Sequence, residues 1–98
     1  MTSRRTKACA ISRTTKIEVY DRDGGRCIFC GRTGIPNAHV IARSHGGLGI
    51  PENIITACPE CHRRMDNTPD RNRYINRAVE YLKGFYPDWS REKVTYKK

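Results

Sequence analysis

The sequence lacks long apolar runs, and none approaches the roughly 20 residues that a helix needs to span a bilayer. The first ten residues are basic and polar, without the apolar segment of a secretory signal. We therefore expect no membrane partner and a cytoplasmic location. Internal repeats and low-complexity segments are also absent, which favours one small globular domain.

Acidic residues are scarce compared with basic ones. Among 98 residues, 19 are Lys or Arg and 10 are Asp or Glu, giving a formal net charge of +9. Such an excess on a small domain attracts polyanions and speeds their association. Nucleic acid is the expected polyanion, because the chain lacks the strong basic amphipathic helix that would suit an anionic membrane surface.

Apolar residues are also limited, at 37% of the chain with a mean hydropathy of −0.75. Small domains of this kind commonly add a metal ion or disulfides to a modest core. Four of the five cysteines form two Cys-x-x-Cys pairs, Cys27 with Cys30 and Cys58 with Cys61. Inside a cell this pattern indicates a tetrahedral Cys₄ zinc site rather than disulfides. Cys9 has no partner, and we interpret it as an incidental free thiol.

The chain divides into a basic arm and one domain. Residues 1–13 carry four Lys or Arg and little to bury, which predicts a flexible arm. Residues 14–98 form the expected domain, with a core over 15–66. A first helix is predicted from Thr14 or Thr15 to Asp23, where two glycines follow.

Two strands and a helix are predicted in the middle of the chain. The first strand covers Asn37 to Ala42, and a glycine-rich loop at 44–49 leads to a second strand at 54–57. Pro59 suits the first position of a helix that runs to about Asp66. A C-terminal helix is predicted at about 69–86, with Thr68 as its cap. The expected fold class is therefore α+β.

Three residues inside the cysteine frame carry a family resemblance. His39 lies on the first predicted strand, Asn53 precedes the second, and His62 lies on the following helix. This order resembles the HNH endonucleases over roughly residues 15–66. The stretch AHVIARSHGGLGIPENIITACPECH is most similar to small HNH proteins of bacteriophages and prophages, which implies a bacterial host cell. The resemblance implies a zinc-stapled ββα-metal fold with flanking helices, in which one divalent cation lies against a scissile phosphate.

The resemblance also implies a role for each residue. His39 would be the general base that takes a proton from the attacking water. Asn53 would hold the backbone that aims His39. His62 would ligate a catalytic Mg²⁺, Mn²⁺, Ni²⁺ or Zn²⁺, and Asp66, one helical turn further, would be a second ligand.

The chain departs from the family pattern at Ala38. The residue before the general base is usually an Asp or His that binds the cation, and a methyl group cannot do so. Three outcomes follow: the cation is held by His62, Asp66 and waters, a neighbour such as His45 substitutes, or the site is impaired.

The expected function is metal-dependent hydrolysis of DNA phosphodiester bonds, as nicking, because a single site cuts one strand. Arg43, His45, Arg63 and Arg64 flank the site and are expected to contact DNA. Two alternatives stay open: a non-catalytic zinc module that binds nucleic acid, and an adaptor that assembles with phage packaging proteins.

Overall fold

A computed structural model describes residues 3–97 of the chain. It is an α+β domain with four α-helices, a 3₁₀ turn and a two-stranded antiparallel sheet, which confirms the predicted fold class. In chain order the elements are α1 (Arg4–Cys9), α2 (Arg13–Asp23), β1 (Ile35–His39), the 3₁₀ turn (Arg43–His45), β2 (Ile54–Ala57), α3 (Pro59–Asn67) and α4 (Arg71–Phe85). Within the described residues, no helix has the length and apolarity to cross a membrane.

The N-terminal segment differs from the flexible arm that its composition predicts. Ser3 caps α1 by accepting a hydrogen bond from the Thr6 N–H, and Cys9 at the end of the helix is only 2% exposed. The Gly49 N–H donates to the Ala8 carbonyl at 3.0 Å, which ties the segment to the rest of the domain. Residues 1 and 2 of the expected arm lie outside the described residues.

The first predicted helix, now α2, begins slightly earlier than expected. Ser12 rather than Thr14 or Thr15 is its cap, because the Ser12 hydroxyl accepts from the Thr15 N–H. The helix ends at Gly24, whose φ of 66° is left-handed and suits glycine.

The sheet pairs His39 with Ile54 and Ala38 with Ile55. A bulge lies between Ile35 and Ala38, where β1 has one more residue than its partner. β2 has its predicted bounds. β1 ends at His39 rather than at Ala42, because the Ile41 backbone is bound by the Asn53 side chain instead of by β2.

Helix α4 begins two residues later than predicted. The Thr68 hydroxyl donates to the Arg64 carbonyl at 2.7 Å and accepts from the Asp70 N–H at 3.2 Å, so Thr68 ends α3 and also binds the backbone just before α4. Asp70 precedes the first turn of α4. The main core lies between the sheet, α3 and α4, and its fully buried side chains include Val40, Ile55, Met65 and Leu82.

A buried ion pair joins α2 to the sheet. Arg22 and Asp23 are in contact at 2.8 Å, with side chains 7% and 0% exposed. The Arg22 guanidinium also donates to the Pro51 and Ile54 carbonyls at 2.7 Å each. A buried ion pair offsets the free-energy cost of removing its charges from water only when further hydrogen bonds of this kind are present.

Asp23 extends the same network to α4. Its carboxylate accepts from the Thr56 N–H at 2.9 Å and from the Tyr81 hydroxyl at 2.6 Å. Burial opposes ionisation of Asp23, but the hydrogen bonds from Arg22, Tyr81 and Thr56 outweigh it and lower its pKa. One carboxylate therefore joins α2, β2 and α4.

Candidate active site and metal centre

The four paired cysteines meet at one point. Their Sγ atoms all lie within 4.8 Å of one another. The Sγ atoms of Cys30 and Cys58 are 3.6 Å apart, close to the roughly 3.8 Å edge of a tetrahedron built on zinc–sulfur bonds of about 2.3 Å. That separation is far longer than a disulfide bond of about 2.05 Å. The four thiols therefore fit one tetrahedral metal ion.

Local backbone features bring the two pairs together. Cys58 is the N-cap of α3, with Pro59 in its first turn, and the Cys61 N–H donates to the Cys58 sulfur at 3.4 Å. In the first pair, Gly31 has a φ of 79°, which lets the chain reverse after Cys30. The second pair is thus fixed by a helix start and the first by a tight turn.

The thiols influence one another's ionisation. Burial opposes ionisation of Cys27, but the backbone N–H groups of Cys58, Cys30 and Phe29 outweigh it and lower its pKa to about 7. Burial, together with hydrogen bonds to the other thiols, raises the pKa of Cys61. One thiolate therefore forms readily, while a second is disfavoured. A bound cation would favour the ionised form of all four thiols, because its charge offsets the repulsion between thiolates.

A cleft of about 760 Å³ lies on the other side of α3 from Cys61 and Met65, which are buried in the core. Four of the predicted site residues line it together: His39, Arg43, His62 and Asp66. Lys16 and Arg71 also line the cleft, so that with Arg43 three cationic side chains lie along it.

His39 lies at the end of β1 and is partly buried. Its Nε2 is 2.8 Å from the Cys9 carbonyl oxygen, which can only accept. Nε2 therefore carries the proton of the neutral ring, and Nδ1 keeps a free lone pair. Burial and the nearby charges of Arg43 and His62 lower the pKa of His39, outweighing the Cys9 carbonyl and Asp66, which act in the opposite direction.

Asn53 is fully buried, and its side chain binds the backbone just after His39. Its Oδ1 accepts from the Ile41 N–H at 2.8 Å, and its Nδ2 donates to the carbonyls of Ile41 and Leu48 at 3.1 and 2.9 Å. Every polar group of the side chain is used in these bonds. The amide therefore fixes both ends of the loop between the strands.

His62 and Asp66 form an exposed pair on α3. The His62 Nε2 and Asp66 Oδ2 atoms are 3.2 Å apart, with side chains 29% and 51% exposed. Two ligands at right angles around a cation, each at about 2.1 Å, would be about 3 Å apart. The donor set therefore fits a divalent cation at the wall of the cleft.

Ala38 does not face this cation site. It is 0% exposed and packs in the core with Ile55 and Cys58, since neighbouring strand residues point to opposite faces. Asn37, on the other side of Ala38 from His39, lines the cleft instead. Asn37 was not among the predicted site residues, although its two-residue spacing from His39 places it on the same face of the strand.

The predicted DNA contacts divide into three groups. Arg43 lines the cleft, whereas His45 lies in an adjoining groove and is not among the residues around His62. The structure thus gives no support to His45 as a substitute ligand. Arg63 and Arg64 both pair with Glu60, at 2.8 and 2.9 Å, and neither lines the cleft.

Comparison with known families gives a match for part of the chain. Residues 27–68 match the HNH endonuclease family. The predicted resemblance is confirmed over this HNH segment, which contains the four thiols and His39, Asn53, His62 and Asp66. The match covers less than half of the chain and indicates a nuclease in broad terms. No curated protein matches the chain.

Removal of the metal ion is expected to unfold the domain. A structural zinc ion contributes on the order of 10 kcal/mol, comparable to the whole stability of a small domain. Cys58→Ser should lose the ion and the native circular dichroism, and a strong chelator should do the same to the natural chain. Cys9→Ala, outside the cluster, should retain one zinc ion per chain by atomic absorption. A chelated sample with an unchanged melting temperature would contradict this prediction.

Neighbouring carboxylates at positions 37 and 38 are expected to have opposite effects. Asn37→Asp adds an acidic group to the cleft without changing its size, so the affinity for Mn²⁺ in isothermal titration calorimetry should rise. Ala38→Asp buries an unpaired carboxyl group in the core and should cost about 3 kcal/mol of unfolding free energy. Tighter Mn²⁺ binding by a stable Ala38→Asp protein would show that position 38, and not position 37, faces the cation.

Proposed function

We propose that the chain is a metal-dependent endonuclease that hydrolyses phosphodiester bonds in DNA and cuts one strand in each event. The observation that supports this most strongly is the shared cleft, in which His39 lies together with His62 and Asp66 among basic side chains. The HNH match agrees with a nuclease in general, and the preference for DNA and for nicking belongs to the proposal.

His39 is the proposed general base. Its free Nδ1 accepts a proton from the water that attacks phosphorus, while Nε2–H stays bonded to the Cys9 carbonyl. Its lowered pKa keeps the ring neutral at pH 7, and cleavage should therefore persist as the pH falls below the ordinary value of 6.5. Asn53 keeps the backbone after His39 in place by its three hydrogen bonds.

His62 and Asp66 are the proposed ligands of the catalytic cation. When bound, a divalent cation supplies charge stabilisation for the phosphate and the departing 3′ oxygen. A mixture of imidazole and carboxylate donors suits Mg²⁺, Mn²⁺, Ni²⁺ or Zn²⁺, so the residues do not select one of them.

The proposed path for DNA follows the unpaired basic residues. Among residues 3–97, Lys16, Arg43 and Arg71 make no ion pair. Arg71 also lines the adjoining groove of about 360 Å³, together with His45 and Arg91. We therefore assign phosphate contacts to the unpaired basic residues of the cleft. Arg63 and Arg64 are not included, because both form ion pairs with Glu60.

A non-catalytic zinc module that binds nucleic acid is the second candidate. The burial of Ala38 favours it, because the cation then has His62 and Asp66 as its expected side-chain ligands and lacks the usual third one. Assembly with phage packaging proteins stays a prediction from the sequence.

Substitution of His39 separates the two candidates. His39→Ala should slow plasmid nicking by about 10² to 10⁴, the usual cost of losing a general base. DNA affinity should stay nearly unchanged, because it comes from contacts between basic side chains and phosphates. Nicking would be followed on gels and affinity by fluorescence anisotropy, after the melting temperature is checked.

Two results would count against the enzyme. Nicking by His39→Ala at the natural rate would remove His39 from the mechanism. A natural chain that binds DNA but cuts nothing with Mg²⁺, Mn²⁺, Ni²⁺ or Zn²⁺ would favour the binding module.

The DNA path has a charge-matched test. Arg71→Gln and Arg64→Gln each remove one positive charge, but only Arg71 lies in the cleft. Arg71→Gln should weaken binding several-fold and lower the salt dependence of log Kd by about one unit. Arg64→Gln should have a smaller effect, since Arg63 still pairs with Glu60. Equal losses for the two variants would indicate general charge attraction and no defined path.

A further inference from the structure

The N-terminal segment, residues 3–11, is attached to the cleft although it precedes the HNH match. The Arg5 guanidinium donates to the Ser44 carbonyl at 2.9 Å and to the Arg43 carbonyl at 3.3 Å. The Gly49 N–H donates to the Ala8 carbonyl at 3.0 Å. The segment is therefore held at two points of the loop between β1 and β2.

The end of the segment reaches the cleft itself. Ala10 and Ile11 are among the residues that line it, next to His39. The Cys9 carbonyl oxygen is 2.8 Å from His39 Nε2, and the Cys9 side chain is only 2% exposed. Among the described residues, this is the one hydrogen bond that the His39 ring makes. Asn53 fixes the backbone near His39, so the ring itself is oriented by the N-terminal segment.

We propose that the N-terminal segment is a positioning element of the active site, with the Cys9 carbonyl holding His39 in the Nε2–H tautomer so that Nδ1 takes the proton from water. The proposal rests on the nuclease function proposed above. A free neutral imidazole exchanges between two tautomers and rotates about its side-chain bonds. A fixed acceptor at Nε2 selects one tautomer and one ring orientation, and when Nδ1 gains its proton the same carbonyl stabilises the imidazolium.

Gly49 allows the segment to be displaced without changing a cleft residue. A Cβ atom at Gly49 would lie 2.1 Å from the Ala10 carbonyl oxygen and 2.9 Å from that of Cys9. Its backbone does not have a positive φ, so alanine is excluded by this contact rather than by backbone strain. Gly49→Ala should push the segment away from the loop. Gly84→Ala is the matched control, because a Cβ there meets nothing within 4 Å.

A second pair of variants covers the case in which Gly49→Ala disturbs the fold. Arg5→Gln removes the hydrogen bonds to Arg43 and Ser44 and should loosen the segment more mildly. Arg4→Gln removes the same charge from the same helix. Zinc content and circular dichroism would establish that each protein is folded before it is compared.

Three measurements follow the segment, the ring and the reaction. The alkylation rate of Cys9, read by mass spectrometry on the zinc-bound protein, reports whether the segment has left the loop. The ¹⁵N chemical shifts of the His39 ring report the tautomer without any cleavage. Values of kcat and KM on a short DNA duplex report positioning separately from binding.

Gly49→Ala is expected to raise Cys9 alkylation at least tenfold, mix the His39 tautomers and lower kcat by about tenfold or more, because small displacements of a catalytic group cost about that much or more. KM should stay close to that of Gly84→Ala. Arg5→Gln should follow the same direction relative to Arg4→Gln.

Two outcomes would overturn the proposal. In the first, Cys9 becomes reactive while the tautomer and kcat match those of the control, so the segment packs on the loop without positioning His39. In the second, the natural chain shows both His39 tautomers while Cys9 is protected, so the segment is in place and does not select one of them. If the natural chain cuts no DNA, the nuclease proposal fails, while the tautomer measurement still decides whether the segment orients the ring.

Discussion

The convergence of four thiols is the constraint on which the rest of the structure depends. A two-stranded sheet is marginally stable in water, and here its strands have only five and four residues. The thiols join the turn after α2 to the start of α3, and His62 is the next residue after Cys61. The interaction that stabilises the domain therefore also fixes the direction of the helix that presents His62 and Asp66 to the cleft.

The Arg22–Asp23 pair is a second constraint on β2, through the backbone of Ile54 and Thr56. Its hydrogen bonds reach the Ile54 carbonyl and the Thr56 N–H of β2 and the Tyr81 hydroxyl of α4. Removing one partner would leave a buried charge without compensation, which typically costs about 3 to 5 kcal/mol. Both residues lie before the HNH segment, as does the N-terminal segment. The folded unit is thus larger than the region that the family match covers.

Local signals in the sequence were sufficient for much of the fold and part of the site. Pro59 after a cysteine predicted the start of α3, and the paired thiols predicted the metal centre. The direction of Ala38 could not be read from the motif, because it depends on the pleat and register of a paired strand. The position of the N-terminal segment depends on backbone contacts to Gly49 and His39, which leave no periodic pattern. Arg63 and Arg64 were assigned to DNA by proximity in sequence, whereas Glu60 one turn away pairs with both.

The unequal exposure of the four thiols has a chemical consequence. Cys30 is exposed while Cys27, Cys58 and Cys61 are buried, so an oxidant would meet Cys30 first. Its sulfur is 3.6 Å from that of Cys58, and a disulfide between them would leave only two thiols to hold a metal ion. Because Cys58 also caps the helix of His62, this two-electron oxidation would disturb the cleft and with it the proposed hydrolysis, which itself involves no redox chemistry.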